Sequence, residues 1–543
     1  MSTSARFPID MQTDNLLRPR PLRPGAHKAA SDDGSYISDA ELASMVSSGR
    51  STPLPPDAPP SSRSIASARK QLRAEHRKRL FPTISYEARV SHFDPESNYS
   101  NFRGFFVLFW IALAIMVMTT MLRNIKDTGH PLRVTVWNLL AENLVTLAVS
   151  DFAMVASTAI SLPLQRTFRR SNGWLRWDQE GMIIHTTFEI AWFSLWIIWP
   201  FLLQWAWTAH VFMTLHTLVF LMKLHSYSFY NGHLSVTERR LRELDHPETA
   251  STEAAVKYPD SYSTQGDTDS NDQPTTGPEH KETVGELRSD LAFELTSTLG
   301  RVSYPQNLTM LNYLDFVLCP TLCYELEYPR VPRIRWLEVF WKVLAIFGCI
   351  FLLTIVSEEF IVPVLRDSEF RLQGGQSISE GSLVVAETIS LLLFPFMVSF
   401  LLVFLVIFEY VLGAFAELTR FADRHFYSDW WNSSDWLEFS REWNIPVHHF
   451  LRRHVFLASR PKVSRTLATV ITFLISSLAH ELVMGCITKK LRGYGFFAMM
   501  FQFPYVAFQR SKFMRGHKLL NNVFFWISMI LGLSMMCSLY VLV

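Results

Sequence analysis

The stretch FYSDWWNSSDWLEFSREWNIPVHHFLRRH, from Phe426 to His454, differs from the rest of the 543-residue chain. It places tryptophans and a tyrosine among aspartates, asparagines, arginines and histidines. This mixture is too polar to cross a bilayer as a helix and more aromatic than an ordinary solvated loop. Downstream, a single histidine, His480, interrupts an otherwise apolar segment. We interpret the stretch as the wall of an active site to which His480 also contributes.

The overall composition is typical of a membrane protein. Hydrophobic residues make up 49% of the chain and aromatic residues 14%, whereas charged residues make up only 18%. The net charge of +2 argues against nucleic acid as a partner. The five cysteines show neither a paired metal-ligand spacing nor a disulfide framework. Cys319 and Cys323 would share a helix face, but two thiols fit packing better than a metal site, and no metal is expected.

The N-terminal region, residues 1–95, is predicted to be disordered and cytoplasmic. Over roughly its first 80 residues large apolar side chains are too few to offset chain entropy. Met1–Asp10 lacks the apolar run of a signal peptide. The basic cluster Arg63–Arg79 is either a solvated charge run or a cytoplasmic flank attracted to anionic headgroups. Residues 96–543 are predicted to form the membrane domain, with a disordered cytoplasmic insertion at about 245–285.

From Gly104 onward the chain contains apolar segments long enough to cross roughly 30 Å of hydrocarbon as helices. They predict an all-α, polytopic membrane protein. Loops after the even-numbered segments carry more Lys and Arg than the others, which predicts a cytoplasmic N-terminus, a C-terminus on the opposite side and a cytoplasmic 426–454 stretch. The sequons at Asn98, Asn307 and Asn432 then also lie on the cytoplasmic side and should carry no glycan. The nine segments span residues 104–122, 139–162, 182–203, 205–224, 336–356, 383–408, 465–487, 494–510 and 523–543.

Aromatic and basic residues gather just before the fifth segment, between Tyr324 and Trp336. Such a group either anchors a helix at the membrane interface or forms a cationic rim for a phosphate-bearing ligand.

Several ionisable residues fall inside the apolar segments, where each should face a partner or a polar cavity. His480 has Ser476 one helical turn earlier on the same face. It is either a core histidine bonded to a neighbour or a general base for a lipid hydroxyl, since neutral imidazole is available near pH 7. The string HELVM lacks the second histidine of HExxH, and GxSxG, Walker A and Rossmann signatures are missing from the sequence. The ionisable residues are Glu142, Asp151, Glu189, Glu338, Lys342, Glu387, His480 and Glu481.

The run FYSDWWN matches the FYxDWWN signature of the acyl-CoA:sterol and acyl-CoA:diacylglycerol acyltransferases, a branch of the membrane-bound O-acyltransferase superfamily. His480 stands where that family has its catalytic histidine, and the run WNIPVH at Trp443–His448 extends the similarity. The resemblance covers roughly residues 95–543 and is strongest to the fungal sterol enzymes. The signature positions are Phe426, Tyr427, Asp429, Trp430, Trp431 and Asn432.

The resemblance implies an endoplasmic-reticulum enzyme whose helical bundle encloses a tunnel. It implies transfer of a long-chain acyl group from acyl-CoA, as co-substrate, to the 3-hydroxyl of a sterol such as ergosterol or cholesterol, without metal or another cofactor. His480 would be the general base, Asn444 would donate to the thioester carbonyl, and Asn432 would be architectural or a tunnel contact. Acyl-CoA contacts would fall at or near Glu438, Arg441, Trp443, His448, Phe456, Arg465 and Ser476.

The sequence leaves alternatives for the acceptor, for the class of protein and for the oligomeric state. Diacylglycerol acyltransferases share both motifs, so triacylglycerol synthesis is the alternative reaction; the Asn312–Arg335 stretch favours sterol. A non-enzymatic transporter would use the intramembrane acids and His480 as an ion path, but the inverted repeats typical of transporters are not apparent. The resemblance further implies a homodimer or a dimer of dimers within membrane lipid.

Overall fold

The computed structural model describes residues 81–94, 97, 103–133, 135–245, 284–298, 300–374, 377–512, 514 and 516–542. Within these residues the regular structure is helical, and β-structure amounts to isolated bridges. The predicted all-α class is thereby confirmed. The helices are α1 Arg103–Thr128, α2 Thr135–Ala141, α3 Leu144–Arg170, α4 Trp177–Leu202, α5 Trp207–Asp245, α6 Val284–Glu294, α7 Met310–Leu318, α8 Trp336–Gln373, α9 Ile378–Leu418, α10 Trp436–Glu442, α11 Ile445–Phe450, α12 Arg465–Thr488, α13 Tyr494–Gln509 and α14 Lys518–Leu542.

Seven of the helices in the described ranges are long and apolar enough to cross a membrane: α1, α3, α4, α8, α9, α12 and α14. The polytopic prediction is confirmed, whereas the predicted count of nine is not. The remaining two predicted segments, 205–224 and 494–510, are helical but belong to α5 and α13, which fall outside this set.

Helix α5 is more polar than a lipid-facing span because it is packed inside the bundle. It forms an antiparallel hairpin with α4, so that Phe201 contacts His210 near the turn at a ring distance of 4.5 Å. At the other end the Trp177 ring lies directly on Gly232, where an added Cβ would overlap the indole. The helix therefore returns along the whole length of a membrane-spanning partner.

Helix α13 returns in the same way along α12. Its 16 residues rise only about 24 Å, less than the hydrocarbon thickness. The rings of Phe473 and Phe503 contact each other at 4.5 Å, and Glu481 of α12 accepts hydrogen bonds from the backbone at Gly493 and Phe496. These contacts define a tight α12–α13 hairpin.

Residues 81–94 pack against the helical body, and we call them the N-terminal strap. Phe81 is 5% exposed, and Arg89 pairs with Asp423 both through a backbone bridge and through its side chain. The packed part of the chain therefore begins before the predicted boundary at 95 and already includes Phe81. The predicted disorder before it, the basic cluster Arg63–Arg79 and most of the 245–285 insertion lie outside the described residues.

Ionisable groups inside the spanning helices are paired in most cases, as their cost in hydrocarbon requires. Lys342 donates to Glu409 at 2.9 Å, and Glu189 lies 3.1 Å from the imidazoles of both His185 and His225. These pairs link α8 to α9 and α4 to α5. They stabilise the bundle rather than form an ion path.

The sequon at Asn307 is closed for a steric reason. Its side chain is buried, and Nδ2 donates to Asn231 Oδ1 at 2.7 Å and to the Tyr324 hydroxyl at 2.9 Å. A glycan has no access to this amide on either side of a membrane. Asn98 lies outside the described residues, whereas Asn432 is exposed.

Candidate active site

His480 lies on α12 with its imidazole exposed, so it does not behave as a packed core histidine. Its Nδ1 lies 2.8 Å from the carbonyl oxygen of Ser476, one turn earlier. A carbonyl can only accept, so this bond requires the proton on Nδ1 and leaves the Nε2 lone pair of the neutral ring free. Ser476 thus acts through its backbone carbonyl, which favours the tautomer protonated on Nδ1. In that tautomer Nε2 can accept a proton, as a general base must.

Asn444 is the N-cap of α11. Its Oδ1 accepts a hydrogen bond from the Val447 backbone at 3.1 Å, as capping asparagines do. The cap uses the oxygen and leaves both Nδ2 protons as donors. No partner of Nδ2 is found within the part of the chain that the structure describes.

The first half of the signature is a buried anchor. Phe426, Tyr427 and Trp430 are almost fully enclosed, and the Tyr427 hydroxyl donates to Glu409 of α9 at 3.1 Å. The Trp430 ring meets Phe404 at 5.0 Å and other aromatic rings around it. These side chains are architectural, because each packs into the protein core and none faces open space.

The second half of the signature is held by α14. Nδ2 of Asn522 donates to the carbonyls of Trp431 and Ser433 at 3.0 and 2.9 Å, and the Trp526 indole donates to the same Trp431 carbonyl at 3.1 Å. Asn432 lies between these bonds with its side chain exposed. The loop is therefore fastened from both ends to spanning helices.

Three arginines lie near enough to Arg441 for their charges to act on it, namely Arg452, Arg465 and Arg510, and we call the four residues the arginine cluster. Burial and the charges of its three neighbours lower the pKa of Arg441. Arg510 is partly neutralised by Asp435 at 2.8 Å, whereas Arg452 and Arg465 are exposed. A site that crowds like charges in this way is suited to an anionic ligand.

His448 stands one turn before Arg452 and is half-buried. Burial, followed by the nearby His449, Arg452 and Arg441, lowers the pKa of His448 to about 3. It is therefore neutral at pH 7 and offers one donor and one acceptor rather than a charge. Phe456 follows on the π-helical continuation of α11, Leu451–Leu457, and is also half-buried.

Comparison with known proteins assigns the family. The family model for MBOAT, the membrane-bound O-acyltransferase family, matches residues 168–542. The chain belongs to the membrane-bound O-acyltransferase family.

Fungal relatives cover most of this O-acyltransferase. A probable sterol O-acyltransferase 2 of Schizosaccharomyces pombe is 40% identical over 85% of this chain and 91% of its own length. Sterol O-acyltransferase 2 of Candida albicans is 34% identical over 85% of this chain and 78% of its own. Diacylglycerol O-acyltransferase 1 of Dictyostelium discoideum is 34% identical over only 44% of this chain.

Two residues expected to contact acyl-CoA have structural partners in this O-acyltransferase. Glu438 accepts hydrogen bonds from the backbone and the hydroxyl of Ser434, both at 2.7 Å, and so closes the start of α10. Trp443 stacks on Phe400 with a ring distance of 4.5 Å and an angle of 14°. Both side chains support the wall of the site.

The rim before α8 is likewise structural in most of its members. Tyr324 and Tyr328 are buried, and Arg335 pairs with Glu417 at 2.6 Å and with Asp94 of the strap at 2.9 Å. Trp336, at the start of α8, is exposed as an interface anchor would be.

Helix packing brings the two expected catalytic residues onto adjoining elements. Helix α12, which carries His480, packs against the π-helical segment Leu451–Leu457, which continues the helix capped by Asn444. Among the described residues no hydrogen bond joins His480 to Asn444. The sequence had suggested His480 and Asn444 as catalytic candidates, and Arg441 and Arg465 as acyl-CoA contacts. Sequence reasoning missed Arg452, which the four-residue spacing from His448 would have indicated.

Proposed function

We propose that this O-acyltransferase moves a long-chain fatty acyl group from coenzyme A to the 3-hydroxyl of a sterol and forms a steryl ester. The observation that carries the proposal is the extent of similarity. Proteins named sterol O-acyltransferases align with more than four fifths of this chain, whereas the diacylglycerol enzyme aligns with less than half. Ergosterol or cholesterol is the acceptor class that we infer.

His480 is the proposed general base. Its Nδ1 proton is held by Ser476, so Nε2 would accept the sterol hydroxyl proton as the oxygen attacks the thioester carbonyl. Collapse of the tetrahedral intermediate breaks the C–S bond, and the imidazolium would return that proton to the departing CoA thiolate. Such proton transfer contributes typically about 10²- to 10⁴-fold to the rate. The reaction is balanced without metal or an external proton source.

Asn444 is the proposed donor to the developing oxyanion. Its oxygen is occupied by the helix cap, which leaves the amide protons as donors for a thioester carbonyl. A preorganised donor at this position is worth about 10²- to 10³-fold in kcat.

The arginine cluster is the proposed docking point for the phosphates of CoA. Arg441, Arg452 and Arg465 would contact the anionic end, with neutral His448 beside them, while the acyl chain enters a tunnel within the bundle. From the positive-inside bias of the sequence we infer that this cluster is cytoplasmic, with the N-terminus cytoplasmic and the C-terminus lumenal. The family resemblance suggests the endoplasmic reticulum as the membrane. The sterol would arrive from the bilayer, and the ester would leave into it. A homodimer or a dimer of dimers is the proposed assembly.

Label transfer from oleoyl-CoA tests the proposal in membranes that express the chain. Cholesterol, ergosterol and diacylglycerol are offered in parallel, with His480→Ala at matched abundance beside the wild type. We expect labelled steryl ester from the wild type and none from the variant. Labelled triacylglycerol would assign the diacylglycerol reaction instead, and an active His480→Ala would remove the proposed base.

A further inference from the structure

We propose that His92, on the N-terminal strap, is a positioning residue for acyl transfer. It holds the loop that carries the signature, residues 426–432, in a fixed position relative to Asn444. The inference rests on the proposed function. His92 lies outside the family match at 168–542, yet it contacts the most characteristic part of that match.

The contacts of His92 are concentrated on three signature residues. Its Nε2 lies 3.1 Å from Oδ1 of Asp429. Its ring stacks on Tyr427 at 5.4 Å with an angle of 28°, and meets Trp431 edge-on at 6.1 Å. The imidazole thus bridges the buried first half of the signature and its second half. Without it, Asp429, whose side chain is 38% exposed, would lose this contact.

The strap itself is anchored on both sides of His92. On one side, Arg89 makes two hydrogen bonds to Asp423, at 2.9 and 2.6 Å. On the other side, Asp94 pairs with Arg335 at 2.9 Å. Ser91 adds a hydrogen bond to Glu409 inside the bundle. His92 is therefore presented by a fixed backbone, which is the condition for one side chain to position another.

The signature loop in turn brackets Asn444. The Ser428 amide donates to the Glu442 carbonyl at 2.9 Å, two residues before Asn444. The Ile445 amide, one residue after it, donates to the Phe426 carbonyl at 3.0 Å. A shift of the loop would therefore move Asn444 through the backbone on both sides. Oxyanion stabilisation depends on donor geometry within a fraction of an ångström, and a misplacement of about 1 Å can cost 10²-fold.

The test compares three variants in the same membranes. His92→Ala removes the contact, His92→Gln keeps an amide donor near the Nε2 position, and Glu87→Ala changes an exposed strap side chain as the matched control. We expect His92→Ala to lower kcat about 10-fold with both KM values within about twofold of wild type, because binding surfaces are untouched. His92→Gln should recover most of kcat, and Glu87→Ala should match the wild type. An unchanged kcat in His92→Ala, or a loss that His92→Gln does not repair, would overturn the assignment.

Hydrogen exchange measured by mass spectrometry gives a reading that does not depend on turnover. In His92→Ala, amides of the 426–445 segment should exchange faster, whereas those of α12 should not change. If the wild type made no steryl ester, the proposed function would fail, but this comparison would still decide whether His92 holds the loop. Equal exchange in wild type and His92→Ala would refute the link.

Discussion

Glu481, which follows His480 directly, gives the sharpest test of how α12 is held. Its carboxylate accepts three hydrogen bonds: from the Tyr540 hydroxyl at 2.6 Å, from the Gly493 amide at 2.7 Å and from the Phe496 amide at 3.1 Å. These bonds tie α12 to the start of α13 and to α14. Glu481 therefore fixes the position of α12, and with it that of His480, relative to α13 and α14.

The substitution Glu481→Gln gives a magnitude from these contacts. A hydrogen bond to a charged group contributes about 1.5–3 kcal/mol, and the amide retains one oxygen but turns an NH₂ group toward the remaining donors. With one to two bonds lost, we expect unfolding to become easier by about 2–4 kcal/mol. The apparent Tm should fall by about 2–4 °C, because the entropy of unfolding scales with chain length.

The assay is thermal denaturation of the detergent-solubilised enzyme, followed by residual acyl transfer after heating. Glu387→Gln is the matched control, because Glu387 pairs with Arg371 at 2.8 Å but is 52% exposed. Exposed pairs contribute only about 0–1 kcal/mol, so this variant should melt close to the wild type. A Glu481→Gln enzyme that melts with the wild type, or a control that is equally destabilised, would refute the reasoning.

The remaining predictions concern the site and its surroundings. Asn444→Asp keeps the oxygen that caps Val447 but loses the amide donor, so steryl ester formation should fall about 100-fold while Tm changes little; equal activity would exclude the donor role. Lys342→Met leaves Glu409 buried without its cation and should cost about 3–5 kcal/mol, seen as a lower Tm; replacing both by apolar residues should recover much of it. Because the pKa of His448 is lowered to about 3, the folded state binds fewer protons than the unfolded state between that value and about 6.5. Stability should therefore be complete above about pH 6.5 and decline as the pH falls toward 3, and His448→Asn should make the melting profile over that range flatter.

The sequence alone determined the apolar spans, the polar and aromatic loop between them, and the residues most suited to chemistry. Among the described residues each predicted segment is helical over most of its length, although 139–162 is interrupted at Glu142 and Asn143, since a long apolar run satisfies its backbone only as a helix in a bilayer. His480 and Asn444 were recognisable because the intramembrane histidine and the WN pair occur together with the FYxDWWN signature.

Other features depended on contacts between residues far apart in the chain. The strap precedes the first long apolar segment and has no helical or strand pattern of its own, yet in the fold it is held by ion pairs to residues more than 200 positions away. Glu438 and Trp443 look like ligand contacts in a linear motif, but Ser434 and Phe400 engage them in the fold.

The tertiary structure also decided which ionisable groups remain available for chemistry. Glu481 and Lys342 are equivalent to His480 by sequence, as ionisable groups in apolar segments. In the fold, the first two are held by Tyr540 and Glu409, whereas His480 bonds only through Nδ1 among the described residues. Whether an ionisable side chain is available for chemistry depends on the partners around it. Those partners lie on other helices, which periodicity and composition do not identify.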